Sequence, residues 1–398
     1  MKIVHVTTSY TGGAGIAAER LHQELRKNGF DSNILVWKEH SAPEKYVWGR
    51  DSFKHKPSFL QRWLSIFAKV IHKIHSCILH KNTEIFTSPI TNCSLERHPL
   101  ILQADVIHLH WISNFANTHS FFNFINRTNK KIIWTLHDMN PFMGGFHYEG
   151  DKYLNRKILI IEKIYLFIKK KSYEKLNKHQ LHVISPSYWM ECKAKNSNIF
   201  SRFSISTIPN IYTPPIITLP SAITLNHTSF TLMTSAQSLD VHRKGMDLFL
   251  EALKIINAEL RYPITVFFAG EIKYEIDSSS FKNIKFEYLG HISLEKMIPY
   301  LSIADYFVLP SREDNLPNVM LESARVGTPI ISFKNGGMSE FITENKAGIL
   351  VEFQTPESLG EAILGAIRST NPPQKKIELS KSYDSDSIIA EITRIYQS

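Results

Sequence analysis

The chain has 398 residues, 43% of them hydrophobic and 21% charged, a composition that excludes both a disordered and a membrane-spanning protein and suits two ordinary domains. Its net charge of +9 is uneven: residues 1–200 carry 28 basic and 15 acidic side chains and the rest carry 18 and 22, so the first half is expected to meet a polyanion or an anionic surface. Three separated cysteines, Cys77, Cys93 and Cys192, exclude a disulfide framework and a cysteine-rich zinc site, and reduced thiols in a cytosolic protein are expected.

In chain order, Lys2–Thr8 runs directly into a turn and reads as a first strand, not a signal peptide. Tyr10–Glu24 then places glycines between that strand and a helix. Gly13-x-Gly15-x-x-Ala18 matches the dinucleotide fingerprint, with Glu39 near the end of the next strand, Ser32–Trp37, so a nicotinamide-dependent oxidoreductase is a rival. Ser9–Gly12 lengthen the loop beyond the tight turn that fingerprint needs. A longer loop holding Gly12 and Gly13 suits a wall of backbone N–H groups facing an anion or a sugar. Ser52–Thr83 has no acidic residue; Leu60, Trp63, Leu64, Phe67, Ile71, Ile74 and Ile78 recur at helical spacing beside Arg62, Lys69, Lys73 and Lys81. That is the pattern of a helix lying on an anionic membrane or packing on its own domain.

Val106–Leu109 reads as a strand that puts His108 and His110 on one face; with no third ligand at suitable spacing, a metal site is not expected. Lys131–Leu136 is the next strand, and His137 and Asp138 follow at its carboxyl rim. Ile158–Ile168 is an apolar helix interrupted by Glu162 and Lys163 and too short to span a bilayer; Lys169–Lys171 adds a second basic patch. After the strand His182–Ser185, the stretch Ile208–His227 has four prolines and no helical period, and reads as a linker. Strands Thr231–Ser235, Ile264–Phe268, Ile284–Tyr288, Tyr306–Pro310 and Pro329–Phe333 then alternate with helices such as Met246–Leu260, which predicts doubly wound parallel sheets. Asp384–Gln397 reads as a final helix. Its opening Asp384-Ser385-Asp386 matches an Asp-x-Asp metal motif, but Asp and Ser are preferred helix N-caps and capping is the expected role.

Asp305–Ile342 carries the most chemistry. A strand, a polar loop, a helix opening near Pro317, a second strand and the pair Gly336–Gly337 bring two helix N-termini to adjacent strand ends, where open α/β sheets bind anions. Glu322, Gly327-Thr328-Pro329, Gly336, Gly337 and Glu340 match the donor-site pattern of family 4 glycosyltransferases, and the block resembles that family. Where the pattern has a first glutamate this chain has Asp314, with Glu313 beside it. His137–Tyr148, HDMNPFMGGFHY, resembles the HDxxPxxGGCHY segment of a polysaccharide-assembly subgroup, with Phe146 for its cysteine. Lys244-Gly245 resembles the family's lysine motif; the arginine that many members place six residues earlier is Ser238 here, with Arg243 as a candidate substitute.

The resemblance implies a GT-B fold: two doubly wound, Rossmann-like α/β domains facing across a cleft. Residues 1–207 would bind the acceptor, 208–227 link, 228–380 bind a nucleotide sugar, and 381–398 return to the first domain. It implies a retaining, hexosyltransferase-type enzyme of surface polysaccharide assembly, taking a sugar from a nucleotide-diphosphate donor to a glycan or polyprenyl-linked acceptor. Lys244 would stabilise the leaving diphosphate, Glu322 hold the ribose, and Asp314 with His137 orient the sugar. Gly12, Gly13, Arg243, Gly290, His291, Glu313, Asn315, Leu316, Asn318, Gly336, Gly337 and Glu340 fall on the donor side, and Asp138, Gly144, Gly145 and His147 on the acceptor side. No cofactor, metal or nucleic acid is expected; the protein would be cytoplasmic, peripheral at the inner face of the membrane. A non-enzymatic or nucleic-acid-binding module using the basic half is a second rival, although its basic stretches lack a recognised RNA-binding motif, and a nucleotide-sugar epimerase of the same fold is a third.

Overall fold

The computed structural model describes residues 1–37, 46–49, 63, 66, 70, 73, 78–212, 229–273, 276–369 and 376–398. Glu39, most of the Ser52–Thr83 helix, Cys77 and most of the proline-rich stretch lie outside the described residues. Two compact units emerge: Met1–Ile211 with Ser382–Ser398, and Tyr212–Lys381.

The first unit is built on seven strands: β1 Lys2–Thr7, β2 Asp31–Val36, β3 Val47–Gly49, β4 Val106–Leu109, β5 Lys131–Thr135, β6 Leu181–Ser185 and β7 Ser204–Thr207. They pair in the order β3-β2-β1-β4-β5-β6-β7, parallel throughout. The second unit has β8 Phe230–Ser238, β9 Ile264–Glu271, β10 Ile284–Gly290, β11 Tyr306–Leu309, β12 Ile330–Phe333 and β13 Gly348–Val351. These are also all parallel, in the order β10-β9-β8-β11-β12-β13. Central strands such as β4, β11 and β12 are buried along their whole length because helices cover both faces, which is why they read as mostly apolar, with the polar His108 and Ser332 buried among them. The edge strands β3, β7 and β13 were not expected. They are three or four residues long; β7 (Ser-Ile-Ser-Thr) has no buried residue, and β13 (Gly-Ile-Leu-Val) is apolar but too short to stand out, with one residue buried.

Phe121, Phe122, Trp134, Tyr173 and Phe200 sit in the first core, and Phe249, Phe268, Val308 and Phe333 in the second. The helix Ser385–Gln397 packs on the first unit: Ile388, Ile389, Ile392, Ile395 and Tyr396 are buried with Ile3, Leu21, Leu25 and Val106. Each buried isoleucine contributes ~1.5–3 kcal/mol as an upper bound. Asp384 caps this helix, its carboxylate accepting from the Ser387 N–H at 3.0 Å.

Candidate active site

In each sheet the chain order reverses once, between β1 and β4 in the first and between β8 and β11 in the second. Loops leaving the carboxyl ends of such a pair form the crevice where open α/β sheets bind ligands.

In the second unit, β8 leads through a short turn, His242–Lys244, to the helix Met246–Asn257. Gly245 links them with φ 67°, and a side chain there would strike the Pro310 carbonyl at the end of β11. The two loops therefore lie against each other. Arg312 ties them: its N–H donates to the Arg243 carbonyl at 2.7 Å, and its guanidinium donates to the His242 carbonyl and to both oxygens of Asp247. This delivers two cations to one carboxylate oxygen, Asp314 Oδ2, with Arg243 Nη1 at 2.8 Å and Lys244 Nζ at 2.6 Å. Burial alone would raise the Asp314 pKa, but Arg243 and then Lys244 outweigh it and hold the carboxyl at about 2. Positive charge at a helix N-terminus opposes the macrodipole, and Asp314 is the anion that compensates it.

Gly336 and Gly337 open the helix Gly336–Asn345 beside the same loop. Gly336 has φ 63°, a Cβ there would meet the Asp314 carbonyl, and the Gly337 N–H donates to that carbonyl at 3.2 Å. The Gly336 N–H is held by the Asn335 side chain at 2.7 Å. Asn315 donates its N–H to Asp314 Oδ1 at 3.1 Å, Leu316 is buried, and Glu313 gives its carbonyl to Arg243. Asn318 begins the next helix, on which Glu322 is 5% exposed; Glu340 is half-buried one turn into its own helix. Gly290, at φ 64°, and His291 are exposed at the end of β10. They line an open groove of about 1050 Å³ with Gln237, Gly270, Tyr288 and Phe286, which Lys244, Asp314 and Glu322 do not line.

In the first unit, Gly12 (φ 86°) caps the helix Gly13–Lys27, and the Thr8 N–H donates to the Trp111 carbonyl, joining the loops after β1 and β4. Beneath them lies a buried stack of imidazoles. His5 on β1 is in register with His108 on β4, which puts it on the face shared by His108 and His110. His5 Nδ1 is 3.0 Å from His110 Nε2, and His110 Nδ1 is 3.0 Å from His137 Nε2. His108 bonds Thr135 Oγ1 at 2.8 Å and Tyr396 Oη at 2.6 Å. Burial, then the neighbouring rings, hold His5 and His110 well below the usual histidine range; burial lowers His108 to about 3 and His137 to about 4.

His5, His108 and His110 thus supply the three-imidazole group that spacing within one strand did not reveal, their donor atoms within 4.8 Å of one another. Yet the His108 and His110 rings are stacked, 4.4 Å between centroids and 21° between planes. Their in-plane lone pairs run side by side, whereas a tetrahedral metal needs them to converge at about 2.0–2.1 Å. The group is a hydrogen-bonded stack.

The loop His137–Tyr148 is fixed from behind. Asp138 Oδ2 accepts from Trp111 Nε1 at 2.7 Å and pairs with His147 Nδ1 at 2.6 Å, and Oδ1 accepts from the Asn140 N–H. Burial opposes the Asp138 charge, but His147 and these donors lower its pKa below the usual carboxylate range. Glu162, on the helix Leu159–Tyr173, accepts the N–H groups of Gly144 at 2.7 Å and Gly145 at 2.6 Å. A side chain at Gly144 would strike the Glu162 backbone and one at Gly145 the Phe86 ring, so Gly144 serves close packing against this helix and Gly145 close packing against Phe86. Lys169 corrects the expected basic patch: it is 4% exposed and donates to the carbonyls of Asn140 and Met143 and to Asn140 Oδ1, while Lys170 and Lys171 are exposed. Burial lowers its pKa to about 7 against the pull of Glu162 and Asp138. Sequence reasoning missed Glu162 and Lys169 as partners of this loop; the one signal was a charged pair interrupting an apolar helical face.

Residues 227–382 match the family described as glycosyl transferases group 1. The chain is 29% identical over 152 residues, 35% of its length, to a GDP-mannose-dependent monoacylated alpha-(1-6)-phosphatidylinositol monomannoside mannosyltransferase of Corynebacterium glutamicum, covering 39% of that protein. It is 21% identical over 377 residues to an uncharacterized 41.2 kDa protein in the cps region of Klebsiella pneumoniae, spanning 91% of this chain and 88% of that one. The chain spans less than half the length of the first curated relatives it matches, 45% and 39%. Sucrose-phosphate synthase from Thermosynechococcus elongatus shares the fold at TM-score 0.66 and 16% identity, over 100% of this chain and 98% of that one. Two all-parallel α/β domains with these structural neighbours make this the GT-B fold.

Proposed function

We propose that the protein is a retaining glycosyltransferase of family 4, moving a sugar from a nucleotide-diphosphate donor to a glycan or lipid-linked acceptor in surface polysaccharide assembly. The observation that carries the reading is the Arg243–Lys244–Asp314 cluster at the reversal point of the second sheet, inside the segment that matches the group 1 family. Two cations balanced by one carboxylate can turn to a diphosphate when it arrives, and charge developing on that leaving group is stabilised without a metal ion. A GDP-mannose-dependent relative supports a nucleotide sugar, and the relative from a cps region supports a polysaccharide role. Lys244 and Arg243 take the diphosphate, Glu322 the ribose, and Asp314 with His137 the donor sugar. The His137–Tyr148 segment marks the polysaccharide-assembly subgroup, with the acceptor on the first unit.

Among the described residues no helix is long and apolar enough to cross a membrane. Peripheral docking is part of the proposal. The helix Leu159–Tyr173 exposes Ile160, Ile164 and Phe167 along one stripe beside Lys163, Lys170 and Lys171, the composition of a surface that meets anionic lipid.

A thermal-shift panel of UDP, GDP, their sugars and NAD, run with EDTA, tests the reading. A shift with one nucleotide-diphosphate sugar and none with NAD is expected; stabilisation by NAD alone would return the nicotinamide enzyme.

A further inference from the structure

We infer that His110 and His5 are positioning residues for His137: a one-way chain of hydrogen bonds, His5 to His110 to His137, holds His137 as the Nδ1–H tautomer and leaves that N–H as the donor available to a ligand. A neutral imidazole has one N–H and one lone pair. His110 lies between the other two rings with each nitrogen 3.0 Å from a neighbour, so it must accept on one side and donate on the other. The chain therefore runs in one of two directions, and its far end decides which.

His5 Nε2 is buried and has no hydrogen-bond partner among the described residues. If the chain ran from His137 towards His5, that nitrogen would carry a buried N–H with nothing to accept it. In the opposite direction it carries only a lone pair, and orphaned buried N–H groups are the rarer defect in folded proteins. His5 Nδ1–H then donates to His110 Nε2, and His110 Nδ1–H donates to His137 Nε2. His137 keeps its own proton on Nδ1, which makes no hydrogen bond to a described residue, and the side chain is half-buried at the rim of β5.

His108 braces the arrangement without joining it. Its two nitrogens are held by Thr135 and Tyr396, and its ring stacks on His110. Low pKa values keep the rings neutral near pH 7, so each has one proton to place.

The consequence for catalysis rests on the proposed contact between His137 and the donor sugar. A fixed N–H offers a donor to a sugar hydroxyl or phosphate oxygen, where the other tautomer would offer a lone pair.

The test is the tautomer of His137 in the full, ligand-free chain labelled with ¹⁵N-histidine, its resonances assigned by their loss in His137→Gln. A protonated Nδ1 and an unprotonated Nε2 are expected; a protonated Nε2 or an averaged mixture would overturn the chain. His110→Leu removes the donor and should release His137 into a mixture, lowering kcat about fivefold, the worth of one ordinary hydrogen bond, with less change in KM for the donor. His110→Gln retains an amide donor and should restore both the resonance and the rate. An unchanged His137 tautomer in His110→Leu would sink the proposal. Should that protein not fold, His5→Leu cuts the chain at its far end and is read on the same resonance. Because this measurement needs no substrate, failure of the chain and failure of the transferase reading remain separate results.

Discussion

Asp314 is the residue on which the second unit's chemistry turns, because one buried carboxylate oxygen holds both Arg243 and Lys244. Its charge persists to about pH 2, so the cluster is fully ionised under working conditions. Lys244→Ala and Glu322→Gln should each lower transfer about a hundredfold or more with the fold intact, since losing one preorganised group that stabilises developing charge costs ~3 kcal/mol. Initial rates at saturating donor check this, and near-normal rates in Lys244→Ala would remove the diphosphate role. The imidazole stack makes a separate prediction about acid. Its histidines have folded pKa values below the unfolded value of about 6.5, so the unfolded chain binds more protons as pH falls from that value. Stability is complete above pH ~6.5 and is lost progressively below it, towards the folded pKa values. His5, His108 and His110 together make that slope up to about 4 kcal/mol per pH unit. Thermal unfolding from pH 8 to pH 5 should show this loss, and a triple His→Gln protein with an equally steep profile would contradict it.

At the scale of elements, the helix Leu159–Tyr173 has two faces with different work. Its inner face carries Glu162 and Lys169 to the loop His137–Tyr148, joining the backbone that follows β5 to a helix that enters later in the chain. Glu162→Gln should weaken charge-assisted bonds to the two glycine N–H groups and leave Lys169 with less compensation. The loss should be ~1.5–3 kcal/mol, read as a lower unfolding midpoint in denaturant; an unchanged midpoint would mean that the loop is held by Asp138 and His147 alone. The outer face is where lipid contact is predicted. Each basic group near an anionic surface adds ~1 kcal/mol at most, and salt screens it. Co-sedimentation with anionic vesicles should therefore exceed that with neutral ones at low salt and fall as salt rises. Lys163→Glu with Lys170→Glu should reduce it, and equal recovery on both vesicle types would contradict membrane docking by this half.

At the scale of the whole molecule, the parallel sheets were legible because strands buried on both faces leave largely apolar runs, as in Tyr306–Leu309 and in Ile330–Phe333, which Ser332 interrupts. The edge strands were not, because Ser204–Thr207 and Val47–Gly49 are short and bury little side chain, and the side-chain bonds that supplement their backbone pairing, Ser206 with His182 and Trp48 with Asn33, follow no local pattern. Legibility of the candidate site divides the same way. Lys244 and Asp314 stood out through local motifs, and the structure brings them together across 70 residues of chain. The link from His5 to His137 was hidden, because it depends on the β1–β4 register, which no local pattern encodes.

The central claim is that this chain binds a nucleotide-diphosphate sugar through the second unit, with Lys244 on the diphosphate. Calorimetric titration of UDP and GDP into the wild-type chain and into Lys244→Ala, both in EDTA, tests it most directly. Saturable one-to-one binding of one nucleotide is predicted, weakened at least about tenfold by Lys244→Ala, in line with loss of a charge-assisted contact. Absence of binding by either nucleotide, or equal affinity in the two proteins, would contradict the account.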